Sequence, residues 1–157
     1  MSRRLPLTKG KHALVDERFY LVVRALGPWH FDGHYPATHI GAFKVRLHVL
    51  VAKLGSKPTG KQIDHKDRDP LNNQLANLRP ATRQQQRRNQ TSRKHTSLYK
   101  GVSWAKREGK WRAAITIDRR QTSLGYFNDE QLAAKRYDRA ARQHFGEFAV
   151  LNFPGAA

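Results

Sequence analysis

The chain has 157 residues, with 30 Lys plus Arg against 12 Asp plus Glu and no Cys. Its formal net charge of +18 points to a polyanionic partner, nucleic acid above all. The missing Cys excludes disulfides, thiolate zinc sites, iron–sulfur clusters and cysteine nucleophiles together.

Residues 1–10 are basic, contain Pro6 and Gly10, and are expected to fray. From Ala13 to Leu54 the pattern reads mostly as strand, with Phe19, Tyr20, Leu21, Val22 and Val23 a β-rich run. Gly27-Pro28, Gly33 and Pro36 punctuate it as turns. Phe43, Val45 and Leu47 alternate as in a strand, whereas Leu47, Leu50, Val51 and Leu54 recur at helical spacing. A strand therefore turns into a short helix near Arg46–His48 and stops at Gly55.

Gln62–His65 reads as a short strand and Asp67–Asn73 as a polar loop with Pro70. Leu75–Arg79 returns, and a helix runs from Arg83 to about Asn89, with Thr82 as N-cap and Gln85 at the third position. Thr91–Thr96 forms a polar, basic joint. From Arg79 to Arg112 there are eleven Lys or Arg residues and one acid, Glu108, a composition suited to tracking phosphates.

Tyr99–Trp104, Lys110–Asp118 and Gln121–Tyr126 follow as three strands of a meander. In the middle one Trp111, Ala113, Ile115 and Ile117 face one way and Arg112, Ala114, Thr116 and Asp118 the other. The last helix starts at Asn128 as cap, ends at Gly146, and carries an apolar stripe of Ala134, Tyr137, Ala141 and Phe145.

Asp64-His65 at a strand end, then Asn72, Asn73 and Asn77, then a helix, is a constellation that carries chemistry. Hydrolysing a phosphodiester needs a base for water, a divalent cation to neutralise developing charge, and groups that hold the base. A His supplies the base near neutral pH, and carboxylate and amide oxygens are hard ligands suited to magnesium. His30 and His34 have a spacing that could hold zinc on a helix, but Gly33 and Pro36 break that helix.

Residues 46–89, LHVLVAKL and then QIDHKDRDPLNNQLANLRPATRQQQRRN, resemble the HNH nucleases with a ββα-metal core, especially homing-type enzymes of phages. The resemblance implies His65 as general base, Asp64 as metal ligand and Asn77 as the residue orienting the catalytic His. It implies Asn72, Asn73 and His48 as supporting residues, with Val49 standing where the family has Arg. It also implies a divalent metal, Mg2+ with Mn2+ as the other option. The second ligand position, where the family has Asn or His, holds Gln86, and Asn89 three residues on is the alternative.

The segment from Tyr99 to Pro154, with YKGVSW, GKWRAAI and LGYFNDEQLAAKRYDRAARQHFGEFAVLNFP, resembles the plant ethylene-response-factor (APETALA-type) DNA-binding domain. Matching positions on the exposed strand faces are Lys100, Ser103, Arg112, Ala114, Thr116, Gln121 and Ser123. Arg83, Arg87 and Arg88 on the preceding helix are further DNA-contact candidates. Trp104 is open between DNA contact and packing, while Trp111, Phe127 and Tyr137 are core.

The expectation is an α+β protein: an HNH nuclease domain over 1–90 (core 46–89) with an N-terminal β-rich extension, a basic linker over 91–97, and a three-stranded antiparallel sheet packed on one helix over 98–157. The function expected is metal-dependent endonucleolytic cleavage of duplex DNA. The alternative is a decayed nuclease that still binds DNA, as a transcription regulator does; an RNA-binding or structural basic protein is a more distant rival. No run of about 18 apolar residues could span a bilayer, and no apolar run follows the basic N-terminus as in a secretory signal. A cytoplasmic monomer of a bacterial or phage-infected cell, with no membrane or protein partner, is expected.

Overall fold

The computed structural model describes residues 1–57, 62–88 and 96–155. They form two compact units, Met1–Gln84 and Gln85–Ala157.

In the first unit β1 (Ser2–Pro6) pairs antiparallel with β2 (His12–Asp16). The N-terminus is thus a paired strand, not a frayed end, because Leu5 is driven inward beside Ala13 and Val15. The run Phe19–Val23, expected as strand, lies instead in α1 (Glu17–Ala25). Tyr20 and Val23 point into the core while Leu21 and Val22 face solvent, 72% and 51% exposed. Apolar residues on both faces of this helix hide its 3.6-residue period.

Next come β3 (His30–Phe31), β4 (Pro36–Ile40) and β5 (Phe43–Arg46), one antiparallel sheet in the order β3-β4-β5. Helix α2 (Leu47–Leu54) begins directly after β5, where the alternating pattern gives way to helical spacing. Leu47, His48, Val51 and Ala52 form its buried face. Then β6 (Gln62–His65) and β7 (Leu78–Ala81) pair with Asp64 opposite Arg79 and His65 opposite Leu78. The returning strand therefore starts later than the expected Leu75. One core joins these pieces, with Leu5, Val15, Tyr20, Val23, Trp29, Leu47, Val51, Ile63 and Leu78 among its members.

Helix α3 (Arg83–Arg88) spans the division between the units. In the second unit β8 (Val102–Ala105), β9 (Lys110–Ile117) and β10 (Arg120–Phe127) make an antiparallel sheet, and α4 (Glu130–Phe145) packs on it. Asp129, not Asn128, is the α4 cap, its carboxylate accepting from the Leu132 amide at 2.8 Å. The expected stripe of Ala134, Tyr137, Ala141 and Phe145 is buried, and Gly146 ends the helix with φ +51°. Gly101 has φ +77°, and a Cβ there would lie 1.9 Å from the Tyr137 ring, so only glycine lets this turn approach the helix. Buried Asp138 accepts from the Asn152 and Phe153 amides, both at 2.8 Å, and fastens the C-terminal tail.

Among the described residues no helix is long and apolar enough to cross a membrane.

Candidate active site

His65 ends β6 and is buried, and its Nε2 lies 3.3 Å from Oδ1 of Asn73, itself completely buried. The Asn73 amide nitrogen donates to Pro70 O at 3.0 Å, and a carbonyl can only accept. The Asn73 oxygen therefore faces the imidazole, so Nε2 carries the proton and the neutral ring keeps its lone pair on Nδ1. Burial pushes the His65 pKa below its ordinary value, against the Asn73 bond and the charges of Asp67, Asp64 and Asp69, which raise it. The ring is thus biased toward its neutral form.

The loop between β6 and β7 is a web of carboxylate and amide bonds. Asp67 accepts from the Asp69 amide at 2.9 Å, from Asn77 Nδ2 at 2.8 Å and from Asn72 Nδ2 at 2.7 Å. Burial alone would raise the Asp67 pKa; these bonds outweigh it, and the net shift is down. Asn77 Oδ1 accepts from the Asp67 amide at 3.1 Å, its Nδ2 donates to Asn72 O at 2.8 Å, and its carbonyl accepts from the Lys66 amide at 2.9 Å. The structure thus joins Asn77 to Asn72 and to the residue after His65, while Asn73 meets the His65 ring directly.

The N-terminal strands brace the same loop. The Leu14 amide donates to Leu71 O at 2.8 Å, Leu14 O accepts from the Asn73 amide at 2.9 Å, and Asp16 Oδ2 accepts from the Leu75 amide at 2.7 Å.

Asp64 is adjacent to His65, and its Oδ2 accepts from Arg79 Nε at 3.2 Å and Nη2 at 3.1 Å. Both partners are largely buried. His48, on α2, meets the His65 ring edge-on at 5.2 Å between centroids. It is 5% exposed and its Nδ1 has no hydrogen-bond partner. Burial, then the charges of His65 and Arg46, push its pKa down to about 3, so it too is neutral.

A model of the HNH endonuclease family matches residues 44–88, which contain all of these groups except the N-terminal braces. The chain is also 36% identical over 107 residues to protein 3.8 of Escherichia phage T7, a span of 66% of this chain and 88% of that protein. The chain belongs to the family of that phage protein. An uncharacterized HNH endonuclease of Acanthamoeba polyphaga mimivirus is 33% identical over 112 residues, 69% of this chain and 58% of that one. An AP2/ERF and B3 domain-containing protein of Oryza sativa subsp. japonica is 45% identical over 62 residues, 40% of this chain and 17% of that one.

With its HNH endonuclease domain the chain is a nuclease, a hydrolase of phosphodiester bonds. HNH nucleases are in general dependent on a divalent metal. In this HNH domain Gln86 and Arg83 lie on α3, whereas Asn89 and the side chains of Arg87 and Arg88 fall outside the described residues. Among the described residues no group of three or more His, Asp or Glu side chains gathers for a metal. Asp64 is a carboxylate, an oxygen donor of the hard class that divalent cations such as magnesium accept. His30 is in β3, not in a helix, and stacks on His39 at 5.7 Å.

In the second unit the strand register brings most of the expected contact residues onto one sheet face. Ser103 lies opposite Arg112, Ala114 opposite Ser123, and Thr116 opposite Gln121. The other face, with Val102, Ala113 and Ile115, packs on α4. Lys100 lies just before β8, its amide donating to Asn152 Oδ1 at 2.7 Å. Trp104 pairs with Trp111 in register and packs edge-on against it at 5.1 Å, on the α4 side.

Sequence reasoning passed over Tyr35 and Arg79. Arg79 was legible as one more basic residue, but only the β6–β7 register shows that it faces Asp64. Tyr35 had no motif signal, and its placement depends on a turn 30 residues before His65.

Proposed function

We propose that this chain is a homing-type HNH endonuclease that cleaves duplex DNA with a divalent metal, magnesium or manganese, through a ββα-metal core at residues 46–89. The observation that supports the reading is the His65–Asn73–Pro70 chain of bonds, which puts the imidazole proton on Nε2 and makes Nδ1 the basic nitrogen of a buried ring next in sequence to Asp64.

In this reading His65 Nδ1 takes the proton from water as the oxygen attacks phosphorus, and Asn73 holds the ring through Nε2. Arg79 orients the Asp64 carboxylate through paired bonds to Oδ2. Asn77 and Asn72 stiffen the loop that leaves His65. Asp64 and Gln86, or Asn89 in its place, would hold the metal, which when bound would neutralise charge on the phosphate and the departing oxygen.

We assign targeting to a C-terminal DNA-binding domain, residues 98–157; most of the linker expected at 91–97 lies outside the described residues. The face bearing Ser103, Arg112, Ala114, Thr116, Gln121 and Ser123 has the width of a few strands, which suits a major groove. Arg83, Arg87, Arg88 and Lys100 add phosphate contacts.

Gln86, one methylene longer than Asn, favours a second reading, a chain that binds DNA without turnover. Incubating supercoiled plasmid with the protein in magnesium and in EDTA separates the two. Nicked or linear product in magnesium alone supports cleavage; binding with no product in magnesium or manganese supports the second reading.

A further inference from the structure

Tyr35 carries none of the roles assigned above, yet its ring lies beside both imidazoles. Its centroid lies 6.1 Å from that of His65, with the planes 18° apart, and 4.8 Å from that of His48. With the 5.2 Å contact between the two His rings, the three rings close into one cluster. Tyr35 is half-buried but is not part of the apolar core around Leu47 and Val51. Over its ring sits the Arg46 guanidinium, 5.3 Å from the centroid.

The segment that presents Tyr35 is tightly held. Asp32 Oδ1 accepts from the Tyr35 amide at 2.7 Å and from the His34 amide at 2.9 Å, while Lys44 Nζ donates to Asp32 Oδ2 at 2.7 Å. Gly33 supplies the positive φ of this turn, +99°, and Pro36 follows at once as the first residue of β4. Asp32 and Lys44 thus tie the turn between β3 and β4 to strand β5.

An imidazole rotates about a broad, roughly two-fold χ2 well. The Asn73 bond fixes one atom of His65, Nε2, and the orientation of the ring plane about that bond is a separate degree of freedom. A stacked neighbour removes that freedom. We propose that Tyr35 is a positioning residue for His65, its ring holding the plane of the imidazole so that Nδ1 stays aimed at the attacking water. The proposal rests on the nuclease reading above, with His65 as the base.

The test is kcat and KM for plasmid cleavage by the full chain, for Tyr35→Leu, Tyr35→Phe and Asp32→Ala, with His65→Ala alongside. Tyr35→Leu should lower kcat by roughly 10- to 100-fold with KM unchanged, since small misplacements of a reacting group cost up to about 100-fold. Tyr35→Phe keeps the ring and should recover most of that loss. Asp32→Ala loosens the turn but keeps the ring, and should fall between them. Full kcat in Tyr35→Leu, or a Tyr35→Phe no better than Tyr35→Leu, overturns the proposal. If Tyr35→Leu loses its circular dichroism spectrum, Asp32→Ala decides, and an unchanged kcat there overturns it. Should His65→Ala cleave at full rate, the nuclease reading itself fails; an inactive His65→Ala beside a fully active Tyr35→Leu removes only the role of Tyr35.

Discussion

Asp64 and Arg79 face each other across β6 and β7, and the guanidinium places two bonds, 3.2 and 3.1 Å, on one carboxylate oxygen. A largely buried pair of this kind is costly to halve, because the survivor loses a charge partner that offset its desolvation. Arg79→Ala should therefore destabilise the first unit by about 3–5 kcal/mol, read by urea unfolding. Asp64→Asn should in addition lose cleavage that raised magnesium or manganese partly restores. Loss that no metal concentration relieves would confine Asp64 to a structural role.

Much of the strand-helix order around this pair was legible in sequence, since β5, α2, β6 and α3 each carry their own period or cap. What escaped was set by distant partners. Phe19–Val23 reads as strand because both faces of α1 are apolar, and only Tyr20 and Val23 find a core to enter. Ser2–Pro6 is basic and looks unstructured until Leu5 meets Val15 and its neighbours. Asp16 bonding the Leu75 amide across the loop leaves no local trace. The Asp64-His65 to Asn77 constellation was visible because its spacing is short. Which amide touches His65 was not, since Asn72, Asn73 and Asn77 differ only in where the loop turns them.

Asn77 makes three side-chain bonds, to the Asp67 amide, the Asp67 carboxylate and Asn72 O. At about 0.5–1.5 kcal/mol net per bond, Asn77→Ala should cost about 1.5–4.5 kcal/mol in chemical denaturation. Asn77→Asp removes both donors and sets a second carboxylate against Asp67, so it should cost at least as much. A fully stable Asn77→Asp would mean that the web does not hold the loop.

The buried His48 gives stability a pH dependence of definite sign. Its pKa in the fold, pushed down to about 3, lies below the ordinary value near 6.5. Between those values the unfolded chain binds a proton that the folded chain refuses. Stability is complete above about pH 6.5 and falls with acidification, by about 1.4 kcal/mol per pH unit for each such group. His65, shifted in the same direction, adds to the slope. His48→Leu should reduce the slope between pH 6 and pH 4 by about one proton, measured by unfolding at each pH. An unchanged slope would mean that His48 is solvated.

The second unit has its own sheet, helix and apolar face, so residues 97–157 should fold alone by circular dichroism and bind duplex DNA. Arg112, whose Nη2 reaches Gln121 Oε1 at 3.4 Å on the open sheet face, is the base-reading candidate. Arg112→Ala should narrow the gap between preferred and scrambled duplexes by about 1–3 kcal/mol in fluorescence anisotropy. Uniform weakening, with the salt slope lower by about one, would mark it as a phosphate contact instead.

The general-base role of His65 is tested most directly by cleavage and binding measured on one preparation of His65→Ala. Supercoiled plasmid in magnesium should be cut about 10²–10⁴-fold more slowly than by the unaltered chain, while affinity for duplex DNA is retained, because a single neutral imidazole adds little to phosphate attraction. Cleavage at the full rate by His65→Ala would contradict the assignment.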